Sequence, residues 1–174
     1  MTLRLLITGP PGCGKTTLIK RVAESVTVPY CGFFTAEIRR KGNRVGFEIE
    51  SFSGSRAVMS HVDIKSRYKV GRYSVDIESI NRIAVPEMHT ALAKKRLLII
   101  DEIGKMELHS DAFKDLLVEI FSSDVPFIGT ILFKSHPFCN RLKKYAGTEV
   151  IILEKRNADR TLASIMDKLK EFHF

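Results

Sequence analysis

Gly9-Pro10-Pro11-Gly12-Cys13-Gly14-Lys15-Thr16 fits the pattern G-x-x-x-x-G-K-[ST]. An apolar run, Leu3 to Thr8, precedes it. Behind it Leu18, Ile19, Val22, Ala23 and Val26 recur at helical spacing on one face. Strand, glycine-rich loop and helix therefore follow in the order that a phosphate-binding loop requires. A polyphosphate tail must be held by groups without bulk. Glycines let successive backbone N–H groups turn inward and form an anion nest. The helix beginning near Lys15 adds its positive end. Lys15 places a point charge between the β- and γ-phosphates, and the Thr16 hydroxyl offers a ligand to Mg²⁺. Gly9 through Thr17 is read as the phosphate-binding stretch, with Lys15 also catalytic. Cys13 sits inside the loop near a helix N-terminus, but the position tolerates many residues and a redox role is not the preferred reading.

The second decisive stretch is Leu97-Leu98-Ile99-Ile100-Asp101-Glu102. A purely apolar run ending in two acids suits a parallel strand buried on both faces, aimed at a ligand crevice by its C-terminal end. Asp101 is expected beside the loop, holding Mg²⁺ together with Thr16. Glu102 is expected to face the γ-phosphate and to activate a water there. Lys105 is weighed equally as a charge partner for the phosphates and as a solvent lysine.

Between these stretches, Cys31 to Ile38 reads as a strand and Arg39 to Arg44 as a turn centred on Gly42-Asn43. Val45 to Phe52 alternates as a strand with one wet face. Ala57 to Val62 is expected as a further strand. Ile77, Ile80 and Ala84 predict a helix that stops or kinks before Pro86, with Pro86 opening a second one. Phe113, Leu116, Leu117, Ile120 and Phe121 form a helical stripe capped by Ser110 or Asp111. Phe127 to Phe133 and Glu149 to Leu153 read as strands. His136 to Tyr145 reads as a helix, and Asn157 as the cap of a last one. The expected fold is α/β: a three-layer P-loop NTPase sandwich, with a mainly parallel sheet, helices on both faces and an antiparallel hairpin addition. One domain is expected over residues 1–174.

Four strings beyond the loop carry a resemblance. They are Asp101-Glu-Ile-Gly-Lys-Met-Glu-Leu108, Gly32-Phe-Phe-Thr-Ala-Glu-Ile-Arg39, Arg44-Val-Gly-Phe47 and Val70-Gly-Arg-Tyr-Ser-Val75. With the loop and the acid pair, they resemble the THEP1-type nucleoside-triphosphatases over nearly the whole chain. The resemblance implies a single αβ domain whose nucleotide-binding stretches are Gly9 to Thr16 and Leu98 to Lys105, through Ile99, Ile100, Ile103 and Gly104. It also implies slow Mg²⁺-dependent removal of the γ-phosphate from several nucleoside triphosphates: ATP, GTP, CTP and UTP.

Composition agrees with a folded domain that has a real core and an ordinary soluble surface. The chain is 44% hydrophobic and 28% charged, with a net charge of +8. A basic balance favours anionic partners. Positive charge gathers at Arg39 to Arg44, Lys65 to Arg72, Lys94 to Arg96 and at Lys143 with Lys144. Phe33, Phe34, Tyr68 and Tyr73 interleave with it as a nucleic-acid stacking surface, although a solvated basic face is the preferred reading. No run reaches the length of a membrane helix, and no leader pattern opens the chain. Cys13, Cys31 and Cys139 form no C-x-x-C pair, so a reducing, cytoplasmic setting is expected. His61, His89, His109, His136 and His173 show no metal-ligand spacing. A monomer is expected.

Three chemistries share these motifs. A hydrolase uses water as acceptor. A small nucleoside or nucleotide kinase, the alternative, needs a second pocket and a basic lid such as Lys65 to Arg72. A GTP switch matches D-x-x-G at Asp101 to Gly104, but the chain holds no N-K-x-D or T-K-x-D. A transporter ATPase signature, L-S-G-G-Q, is also missing. Arg56, Arg72, Arg141 and Arg160 are the candidates for an arginine finger. A late loop around Arg156 and Asn157 is the candidate contact for the base.

Overall fold

The computed structural model describes residues 2–172. His173 lies outside them. The strands are β1 (Arg4–Thr8), β2 (Tyr30–Arg40), β3 (Asn43–Ser51), β4 (Arg56–His61), β5 (Lys69–Val70), β6 (Tyr73–Val75), β7 (Leu97–Ile103), β8 (Phe127–Ile131) and β9 (Glu149–Ile152). The helices are α1 (Lys15–Ser25), α2 (Ile77–Lys94), α3 (Asp111–Ser122), α4 (Pro137–Lys143) and α5 (Ala158–Glu171). One sheet runs in the order β5-β6-β4-β3-β2-β7-β8-β1-β9. From β2 to β9 neighbouring strands are parallel, and from β2 to β5 they are antiparallel. The antiparallel part is thus larger than a hairpin, because β4, β6 and β5 extend it.

Period-two alternation along the central strands divides the core into two layers. Leu5, Ile7, Leu97 and Ile99 pack under α1 and α5 on one face. Leu6, Leu98, Ile100, Phe33 and Phe127 pack under α2 and α3 on the other. Apolar residues on both faces of β1, β7 and β8 are what a covered parallel sheet demands.

Two expectations fail locally. The segment around Pro86 is one helix, α2, rather than two. Ile80, Ile83 and Ala84 before the proline and Met88 and Ala91 after it share one buried face. That shared burial outweighs the lost backbone hydrogen bond, which costs about 3 kcal/mol in a helix interior. Asp76 caps the helix, accepting from Ser79 N at 3.1 Å. Asn157 occupies the position before α5 but does not cap it. Its Oδ1 instead accepts from Glu154 N at 2.8 Å and its Nδ2 donates to Ile152 O at 3.2 Å, closing its own loop. At α3 the cap is Ser110, whose Oγ accepts from Phe113 N at 3.0 Å.

Candidate active site

β1 and β7 end at the same edge of the sheet with β8 between them. Residues 9–14 leave β1 and run into α1. Gly12 and Gly14 hold φ of 76° and 100°, backbone that residues with a Cβ rarely adopt. Gly9 packs so closely that a Cβ there would lie 2.5 Å from Leu153 O. No side chain caps α1 at Gly14, so its first N–H groups are left for an anion. Lys15 Nζ donates to Gly9 O at 3.0 Å and to Pro10 O at 3.3 Å, which lays the ammonium over the loop.

Thr16 and Asp101 come together. Thr16 Oγ1 donates to Asp101 Oδ2 at 2.8 Å. Thr130 Oγ1, from the intervening strand β8, donates to Oδ1 at 2.7 Å, and Thr35 Oγ1 lies 3.5 Å from Oδ2. Asp101 is only 1% exposed. Burial raises its pKa, opposed by the hydroxyl bonds from Thr130 and Thr16 and by the charge of Lys15. A hydroxyl and a carboxylate are hard oxygen donors, suited to Mg²⁺. Among the described residues no cluster of three or more His, Cys, Asp or Glu side chains forms a metal cage. A cation here would take its remaining ligands from phosphate and water, as Mg²⁺ commonly does.

Glu102 is half-buried. Burial raises its pKa first, the Asp101 charge adds to this, and Lys15 opposes it. Glu107 lies beneath and is buried. Its Oε2 accepts from Gly104 N at 3.2 Å. Burial, with the Glu102 charge second, pushes its pKa up to about 8. Gly104 sits between the two acids: a Cβ there would meet Glu107 Oε2 at 3.1 Å and Glu102 Cδ at 3.3 Å. A cavity of about 230 Å³ opens on this side, with Glu102 and Lys105 on its wall.

The remaining candidates divide. Leu98, Ile99, Ile100 and Ile103 are fully buried, so they position Asp101 and Glu102 through the strand and offer no side chain to a ligand. Pro10, Pro11, Gly12 and Thr17 are exposed, while Cys13 is buried and free. Among the finger candidates, Arg56 pairs with Glu50 at 3.1 Å, and Arg141 lies over the Phe138 ring. The stacking surface fails at Phe33, which is fully buried, and Lys20, Arg67 and Arg72 already cover Phe34, Tyr68 and Tyr73. Thr35, Thr130 and Glu107 belong to the site but to neither the phosphate-loop pattern nor the acid pair; Thr35 and Glu107 lie within the strings that carry the resemblance, with no role assigned to them there. Thr130 leaves a trace of another kind, as a polar residue in the apolar run Phe127-Ile-Gly-Thr-Ile131.

A family model described as NTPase matches residues 4–166. The chain is 40% identical to a nucleoside-triphosphatase THEP1 of Thermotoga petrophila, over 97% of this chain and 93% of that protein. It is similar to the crystal structure of THEP1 from Aquifex aeolicus, with a TM-score of 0.89 and 34% identity over 96% of this chain and 99% of that one. It is also similar to the solution structure of a human cancer-related nucleoside triphosphatase, with a TM-score of 0.85 and 32% identity over 99% of this chain and 100% of that one. The fold agrees with these likenesses, and the chain belongs to the THEP1-type nucleoside-triphosphatase family.

Proposed function

We propose that this protein hydrolyses the γ-phosphate of nucleoside triphosphates, with Mg²⁺ and with little preference for the base. The observation that carries this reading is the contact of Thr16 with Asp101 beneath an uncapped helix N-terminus, with Glu102 next in the strand. The loop N–H groups and Lys15 bind and orient the triphosphate. Thr16 and Asp101 would hold Mg²⁺, which supplies charge neutralisation on the phosphate oxygens when bound. Glu102 accepts the proton of the attacking water, and Lys105, which lines the same cavity as Glu102, offsets charge that builds up on the phosphates. The solvated basic surface steers the anionic substrate to the crevice.

Breadth toward the base follows from how the late loop is committed. It adjoins the phosphate loop, with Leu153 N donating to Thr8 O at 2.7 Å. Asn157 spends both ends of its amide on its own loop, and Arg156 Nε pairs with Glu154 at 2.6 Å. A site that discriminates strongly needs polar groups set against the base edge; Asn157 is committed to its own loop, and the 86% exposed Arg156 guanidinium can stack on any base alike. ATP, GTP, CTP and UTP are expected to show kcat/KM values within about tenfold of one another, a gap of ~1.4 kcal/mol in transition-state binding. Steady-state phosphate release with the four substrates decides this. A preference of about a hundredfold for one purine would contradict it.

A further inference from the structure

The cavity beside Glu102 is built for more than water. A water molecule takes up about 30 Å³ of liquid, whereas this cavity measures about 230 Å³. Its apolar walls are Phe47 of β3, Met59 of β4, Val70 of β5, Met106 and Leu132. The phosphate loop contributes none of its lining. The antiparallel extension of the sheet therefore forms one wall of a chamber next to the phosphate site, and the segment following Asp101 forms the other. Thr35 joins the chamber to the phosphate site, since it lines the cavity and reaches Asp101 at 3.5 Å. Water gains nothing from five apolar side chains, but an organic molecule with an apolar face does. An apolar cavity of about 150 Å³ takes up benzene, so this one has room for a ring and its substituents. Its polar wall sets the Glu102 carboxylate against the one cation Lys105, with Glu107 held protonated by burial, so no surplus positive charge is there to hold a phosphorylated or otherwise anionic occupant.

We propose that this cavity is the site of a second substrate, a small uncharged alcohol with an apolar face and about the bulk of a single ring, whose hydroxyl meets Glu102 and receives the γ-phosphoryl group. The inference rests on the reading of residues 9–16 and Asp101 as the nucleoside-triphosphate site. The hydroxyl oxygen forms a bond to the γ-phosphorus, and the bond from that phosphorus to the β–γ bridging oxygen breaks. The nucleoside diphosphate leaves with the electron pair, and the hydroxyl proton passes to the Glu102 carboxylate. With no alcohol bound, water takes its place and hydrolysis is the outcome.

Phosphorus NMR of the products from Mg-GTP tests this, with glycerol, D-ribose, thymidine and benzyl alcohol as acceptors. A phosphomonoester is expected with at least one of them. Val70→Trp, which fills the chamber, should lower the ratio of ester to inorganic phosphate at least about tenfold. Phe47→Ala, which opens it, should shift the preference toward the bulkier alcohols. Inorganic phosphate alone with all four alcohols would overturn the second-substrate site and leave the hydrolase reading intact. An ester whose ratio to phosphate is unmoved by both variants would overturn the assignment to this cavity. Neither ester nor phosphate would remove the nucleotide reading itself.

Discussion

Thr16 Oγ1 donates to Asp101 Oδ2 at 2.8 Å across 85 positions of sequence, joining the first turn of α1 to the end of β7. The sheet order explains the contact. β8 separates β1 from β7, so the loop leaving β1 and the acid ending β7 meet above it, with Thr130 of β8 completing the bridge. Thr16→Ala should leave Asp101 buried and short of a donor. Titration of Mg²⁺ in the presence of a non-hydrolysable nucleotide should show weaker metal binding by roughly tenfold or more. Unchanged affinity would remove Thr16 from the metal site.

Thr130→Val keeps the shape of the side chain and deletes its hydroxyl. Asp101 Oδ1 then loses the 2.7 Å bond in a buried setting. A loss of about 1 to 3 kcal/mol in stability is expected, read as a lowered denaturant midpoint with an unchanged slope. A midpoint equal to that of the parent would show that Asp101 finds another donor.

Lys15→Ala removes the side-chain cation that lies over the phosphate loop. Nucleotide affinity and turnover should both fall strongly, because the ammonium would contact phosphate in the bound state and more strongly at the transition state, where charge builds up. Calorimetric binding and phosphate release measure the two effects separately. A folded variant with parental phosphate release would reject the loop as the nucleotide site.

Glu107 gives the chain a pH-dependent weakness. Its pKa stands at about 8 in the folded protein against an ordinary value of 4.5. Folding therefore favours the protonated acid, and stability falls as pH rises from about 4.5 toward 8, by at most ~1.4 kcal/mol per unit. Glu107→Gln cannot ionise and escapes that loss. Its Tm relative to the parent should rise progressively between pH 5 and pH 8. A difference that stays constant over this range would show that Glu107 does not titrate there.

Much of this was legible in the residues. Glycines at 9, 12 and 14 with Lys15 and Thr16 admit few structures, and the apolar run before Asp101 fixes a buried strand end. Period and loop chemistry are local, so they survive as sequence patterns. Thr35 and Glu107 were not legible, because their roles depend on which strands lie side by side. Pro86 misled for the same reason: its local preference for a helix start yields to a buried face shared along α2. The chamber beside Glu102 is tertiary as well, since Phe47, Met59 and Val70 come from three strands of the antiparallel extension.

Glu102→Gln tests the central claim most directly. The loop, Lys15 and Asp101 remain in that variant, so the affinity for Mg-ATP should stay within a few-fold of the parent. Phosphate release should fall by roughly 10²- to 10⁴-fold, the range for loss of a general base. Calorimetric affinity and steady-state turnover on the same preparation give both numbers. Near-parental turnover with intact binding would show that another group activates the water and would contradict the account.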